Sequence, residues 1–202
     1  MSTSELFERR AVSVRLGGRY SLANRRDLQG NRRQFACRTS RVSPYQMMIA
    51  VPVVGAVGER VISYFGEFGK LDGWVSGIAE GGFLIDLAVT KAKRQTLAGK
   101  LSWLEKQQAD ASVRDARGQE RIIPENPHST LVFADGTTLG CFVIDMSVSG
   151  AAVSADVQPA IGTALAVGRC VGRVIRHFRE GFAVKFVELQ EREYLERLIV
   201  RT

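Results

Sequence analysis

The sequence predicts a mostly β protein made of two small barrels in tandem, each followed by a C-terminal helix. Three observations predict it: a collinear internal repeat, short strand-like runs separated by turn signals, and an apolar helical stripe closing each half.

The repeat is read first. Cys37 and Cys141 are as far apart as Ser43 and Ser147, and as Gly58 and Gly162. Each half then reaches a Gly-x-Val step, Gly73-Trp74-Val75 and Gly172-Arg173-Val174. A Gly-Phe step follows in both, Gly82-Phe83 and Gly181-Phe182, opening the runs Phe83–Leu87 and Phe182–Phe186. Between the Ser-to-Gly block and the Gly-x-Val block the second half is shorter. One match would be chance; a series in the same order indicates two copies of one domain.

Within each half, β-branched and aromatic runs alternate with turns at barrel spacing. Ser129–Phe133 and Leu139–Ile144 flank Asp135-Gly136, a strong hairpin signal because such a turn needs positive φ. Leu97, Leu101 and Leu104 recur at helical spacing, and Tyr194, Leu195, Leu198 and Ile199 form a second stripe. Residues 107–119 are polar, lack apolar periodicity and contain Gly118, so they read as a linker. The expected division is 1–106 for the first domain and 114–202 for the second, with the linker running into its start.

The chain carries 28 Lys and Arg against 21 Asp and Glu, a net charge of +7 that favours an anionic partner. The start, Met1-Ser-Thr-Ser-Glu5, has no basic segment leading into an apolar one, and no apolar run is long enough to span a bilayer. A cytoplasmic location is expected. Cys37, Cys141 and Cys170 are widely spaced and form no metal-ligand pattern with His128 or His177, so reduced, buried thiols are expected. No phosphate-cradling loop, zinc-protease or nucleophile-elbow motif is present, and neither an enzyme nor a cofactor is expected.

Two motifs stand at the entrance to the second half: Arg117-x-x-x-Arg121 and Asp145-x-Ser147-x-x-Gly150. Arg-x-x-x-Arg alone is weak, because Arg15/Arg19, Arg169/Arg173 and Arg197/Arg201 match it as ordinary solvated side chains. Asp-x-Ser-x-x-Gly alone fits a polar turn at a strand end. Together, in this order and with a hairpin between them, they resemble the ligand signature of PilZ domains, which bind cyclic di-GMP on a small β-barrel. The resemblance covers roughly 114–201, with a weaker first copy over about 10–106. It implies two PilZ-like barrels and a non-enzymatic receptor that changes domain arrangement or partner binding when cyclic di-GMP binds.

The residue chemistry suits that ligand. An Arg fork matches phosphate oxygens and guanine O6/N7, and its flat face stacks on a purine. Asp145 can accept from guanine N1–H and the exocyclic amine, donors that adenine does not present. Ser147 can bond the nucleotide or fix the Asp loop. Gly150 permits close approach or positive φ. Arg114 and Arg176 are auxiliary candidates, each as readily a solvated surface residue. The first copy has Arg41 and Gln46 where the second has Asp145 and Gly150, retaining only Ser43, so it is not expected to bind in this way. Its Arg-rich hairpin, Asn24–Arg33, is a candidate for presenting charge to a partner.

Two competing readings remain. Small barrels with basic loops bind single-stranded nucleic acid through stacking aromatics. Aromatics are 8% of this chain, and those in the strand patterns are expected in the core, which disfavours that reading. The other is a ligand-independent protein-interaction module. A downstream protein partner is expected in the receptor reading, of unspecified identity.

Overall fold

The computed structural model describes residues 11–27, 29–110 and 121–200, which fall in two compact units, 1–114 and 115–202. Each unit is a closed six-stranded antiparallel barrel followed by a helix. In the first unit, β1 (Val12–Ser13) pairs with β3 (Phe35–Val42) outside the ring. The ring itself contains β2 (Gly17–Leu22), β3, β4 (Gln46–Ala50), β5 (Arg60–Phe65), β6 (Gly69–Ala79) and β7 (Gly82–Leu87). It runs β3-β2-β5-β6-β7-β4 and closes through β3–β4 pairing. Helix α1 is Lys91–Asp110.

The second unit contains β8 (His128–Phe133), β9 (Thr138–Ser147), β10 (Gly150–Ser154), β11 (Ala164–Val167), β12 (Cys170–Phe178) and β13 (Gly181–Phe186). The ring runs β10-β13-β12-β11-β8-β9. A single 3₁₀ turn, Arg192–Tyr194, leads into the short helix α2, Leu195–Ile199. Strand for strand, β8–β13 repeat β2–β7 in order and in pairing.

The repeat extends to irregularities. An extra residue bulges from β3 against β4 between Thr39 and Arg41, and another from β9 against β10 between Val143 and Asp145. β6 bulges between Val75 and Gly77, and β12 between Val174 and Arg176. Bulges turn the strand and re-aim the side chains beyond them, so their coincidence fixes the same curvature twice. The repeat glycines are there for close approach. A Cβ on Gly82 would fall 2.1 Å from Ile49 O, and one on Gly181 2.0 Å from Val153 O. The shorter middle of the second half lies in one hairpin: β11 and β12 have 4 and 9 residues where β5 and β6 have 6 and 11.

Alternation of inward and outward residues builds two separate cores. Tyr20, Phe35, Met47, Phe83 and Ile85 fill the first; Leu131, Val143, Met146, Phe182 and Val184 fill the second. Cys37 and Cys141 are buried at equivalent places, and all three cysteines are free thiols.

Both helices cover the barrel end at the equivalent turn. Leu97 and Leu101 sink into the first core, each side chain contributing about 1.5–3 kcal/mol by leaving water. The Lys93 ammonium donates to Phe68 O at 2.6 Å in the β5–β6 turn, and Lys100 donates to Glu67 O. In the second unit Leu195 and Ile199 enter the core, Ser129 Oγ donates to Ile199 O, and Arg169 N donates to Leu198 O at 2.8 Å at the β11–β12 turn.

Three sequence expectations need correction. Helix α1 runs on through Asp110, so residues 107–110, read as the start of the linker, are helical; local propensity sustains the helix after its buried stripe has ended. Tyr194 lies in the 3₁₀ turn with 46% of its surface exposed, because the helix proper starts at Leu195. Trp74 is not a core residue. It points outward from β6 opposite Arg60 and is 48% exposed, since its neighbours Gly73 and Val75 take the inward positions.

Candidate functional site

The outer face of β9–β10–β13–β12 carries Asp145, Ser147, Gly150 and Arg176, with Arg121 beside it. Ile122 forms an isolated antiparallel bridge with Met146, with Ile122 N donating to Met146 O at 2.7 Å and Met146 N to Ile122 O at 2.9 Å. This bridge ties the chain entering the barrel to the end of β9. Arg121 Nη1 therefore donates to both carboxylate oxygens of Asp145, at 2.9 and 3.1 Å. Arg121 is 60% exposed at its side chain and Asp145 24%, so the pair is a surface one, worth at most about 1 kcal/mol of stability. Its value is positional: it holds a guanidinium and a carboxylate side by side.

Asp145 opens a row of cross-strand partners. It pairs with Ala152 on β10, which pairs with Ala183 on β13, which pairs with Arg176 just past the bulge on β12. Paired residues share a face, so the row is a floor of two methyls with an acid at one end and an exposed Arg at the other. Three inter-strand steps make it about 14 Å long. The adjoining row is Ser147, Gly150, Lys185 and Arg173.

Ser147 and Gly150 have structural parts that the motif alone leaves open. Ser147 Oγ donates to Gly150 O at 3.4 Å and lies 3.3 Å from Ser149 Oγ, closing the two-residue β9–β10 turn. In the first unit Ser43 Oγ does the same, accepting from Gln46 N at 3.0 Å and donating to Gln46 O at 3.2 Å. Gly150 is not in the left-handed region, which corrects the positive-φ alternative. A Cβ there would fall 2.4 Å from Val184 O, so strand packing demands glycine. Arg176 is placed on the same face. Arg114 and Arg117 lie outside the described residues. Ala152, Ala183 and Lys185 were missed by motif reading; register, unlike composition, is what aligns them.

The equivalent face of the first unit differs throughout. Its row is Arg41, Met48, Leu84 and Gly77, paired in the same way. Larger side chains stand where the alanines lie, and a cation replaces the acid. Next to it, Gln46 Nε2 donates to Asp86 Oδ1 at 2.6 Å, closing the row that Gly150 leaves open. On the strands beyond, Arg19 lies over Tyr64 at 5.0 Å and the Arg60 guanidinium and Lys70 ammonium both contact Asp72, at 3.5 and 3.3 Å. Among the described residues no group of His, Cys, Asp or Glu could hold a metal ion, and no helix is long and apolar enough to cross a membrane.

The second unit is thus a closed six-stranded antiparallel barrel with an Arg–Asp pair beside a small-residue floor on its outer face. The PilZ domain family matches residues 115–201, within the second unit. No curated protein matches the sequence. Solved structures with a similar course include the Borreliella burgdorferi PlzA protein in complex with c-di-GMP, at 12% identity and TM-score 0.31, covering 98% of this chain and 90% of that one. The Bacillus subtilis inhibitor of motility MotI/DgrA matches at 12% identity and TM-score 0.29, over 93% and 94%. Escherichia coli YcgR in complex with c-di-GMP matches at 12% and 0.29, over 96% and 83%. Likeness this distant carries no functional argument.

Proposed function

We propose that the chain is a non-enzymatic receptor for cyclic di-GMP, bound on the outer face of the second barrel. The observation that supports this most is the Arg121–Asp145 pair standing at the head of the Ala152–Ala183 floor. A guanine laid on the two methyls would present N1–H and its exocyclic amine to the carboxylate and its O6/N7 edge or π-face to the guanidinium. Arg117, one helical turn's worth of sequence before Arg121, supplies the second fork for phosphate. Ser147 and Gly150 act by shaping the turn, and Arg176 is an auxiliary contact from the far edge.

Because Arg117 and Arg121 precede the second barrel's first strand in the sequence, engaging both would restrict that entrance. Ordering a segment on binding is a known switching device. The output is then a changed domain arrangement or a changed surface for a downstream protein.

A second reading, single-stranded nucleic acid bound by the first unit, draws on exposed Trp74 and on Tyr64 under Arg19. Two separated aromatics fall short of a continuous stacking platform.

Calorimetry with cyclic di-GMP, GTP and a short oligonucleotide at two salt concentrations tests these readings. Saturable binding of cyclic di-GMP alone is expected, with Arg117→Ala and Arg121→Ala each weakening it by about 2–3 kcal/mol. No cyclic di-GMP binding, or an oligonucleotide bound more tightly, overturns the receptor reading.

A further inference from the structure

We propose that Lys185 contacts a phosphate of the ligand, forming with Arg173 a second anion subsite across Gly150 from the Arg121–Asp145 pair. The inference rests on the receptor reading and adds a residue that the sequence motifs do not contain.

Three observations lead to it. Gly150 on β10 pairs with Ser147 on one side and Lys185 on the other, and Lys185 pairs with Arg173 on β12. Gly150 has no side chain to meet Lys185, so the exposed ammonium overlooks an open strip directly beside the alanine floor. Arg173 Nη1 donates to Gly162 O at 3.1 Å on the β11 side of β12, so its guanidinium would have to swing back across the strand to share an anion with Lys185. Two cations thus occupy neighbouring register positions, and among the described residues neither forms an ion pair with a carboxylate. Like charges side by side on a sheet repel, an arrangement that an anion between them would relieve.

The first unit shows what the row looks like where this subsite is not built. There Gln46 and Asp86 hold the places of Gly150 and Lys185, and their side chains hydrogen-bond across the strands at 2.6 Å. Side chains in this row therefore do reach one another. Trp74 holds the place of Arg173. Between the two units the charges invert as a set: Asp145 against Arg41, and Lys185 against Asp86. The second unit offers an acceptor to the base and a cation to the phosphate; the first offers neither at those positions.

Lysine provides a compact charge with freely turning donors and no planar fork, which suits a phosphate and does not read a base edge. The signature follows. Lys185→Gln in the full-length protein should weaken cyclic di-GMP about tenfold at low salt, the scale of one charged hydrogen bond. The loss should shrink at high salt, where the Coulomb part is screened. The preference for cyclic di-GMP over cyclic di-AMP should stay as in wild type, whereas Asp145→Ala should reduce it. Lys185→Arg should bind within about threefold of wild type, since charge is retained. Asp86→Lys, the matching position of the first unit, should change nothing.

Calorimetry on these variants decides. If wild type binds and Lys185→Gln stays within twofold at low salt, Lys185 is a solvated surface residue and the subsite is refuted while the receptor reading stands. If Lys185→Gln also alters base preference, the residue shapes the barrel face, and the phosphate role is refuted. If wild type does not bind cyclic di-GMP, both proposals fall.

Discussion

Carrying the first unit's floor onto the second tests whether the ligand lies on it. Ala152 and Ala183 are each 8% exposed, and the positions that match them in register hold Met48 and Leu84. Ala152→Met with Ala183→Leu would raise the floor by about one van der Waals layer, roughly 3.5–4 Å. A base lifted that far cannot keep hydrogen bonds to Asp145 and Arg121, which need donor–acceptor distances near or below about 3.2 Å. Losing two charge-assisted bonds of about 1.5–3 kcal/mol each weakens binding at least about hundredfold. Both positions are buried, so the larger side chains also cost about 1–3 kcal/mol of stability by overpacking. Calorimetry gives the affinity, and a thermal melt checks the fold. An intact double variant that binds within threefold of wild type would refute the placement of the ligand on this face.

Further outcomes follow from the same geometry. Asp145→Asn keeps the shape but loses the ion pair to Arg121; it should cut cyclic di-GMP affinity while moving the melting temperature by no more than about 4–8 °C, as expected for a surface pair. Arg41→Ala, in the first unit, should leave cyclic di-GMP affinity within twofold, and a larger loss would mean that both units bind. Gly181→Ala puts a methyl 2.0 Å from Val153 O and should destabilise the second barrel by about 2 kcal/mol or more, seen in chemical denaturation. Burial pushes the Cys37 and Cys170 thiols up, and since the thiolate is the reactive form, both should resist thiol reagents at neutral pH until the protein unfolds.

Much of the fold was legible because its cause is local. Gly58 and Gly162, at matching places in the repeat, both sit at positive φ in the turn before the central hairpin. Gly136 takes φ +83° in the turn that Asp135-Gly136 announced, and Asp135 Oδ1 accepts from Thr137 N at 2.9 Å to close it. Gly82 and Gly181 repeat because neighbouring backbone leaves no room for a Cβ. The helix ends were less legible: the first helix outlasts its apolar stripe, and a Tyr at helical spacing proves to belong to a 3₁₀ turn.

The site divides in the same way. Arg121 and Asp145 were legible as members of two motifs with a hairpin between them, but their bond to each other was not. The floor was not, because Ala152, Ala183 and Lys185 come together through register across three strands, and a bulge in β9 and another in β12 set that register. Nothing in the local sequence marks either bulge, so the row they align is legible only once the barrel is closed. The exposed Trp74 was misjudged for a related reason: a large aromatic in a strand suggests core, but its face is decided by the residues flanking it.

The measurement that bears most directly on the central claim is amide hydrogen exchange with and without cyclic di-GMP. Ligand on the second barrel's outer face should slow exchange at Arg121–Ile123 and through the β9–β10 turn from Asp145 to Ala152, while the matching β3–β4 turn from Arg41 to Met48 is unchanged. Protection of the first unit's turn, or none at either, would contradict the account.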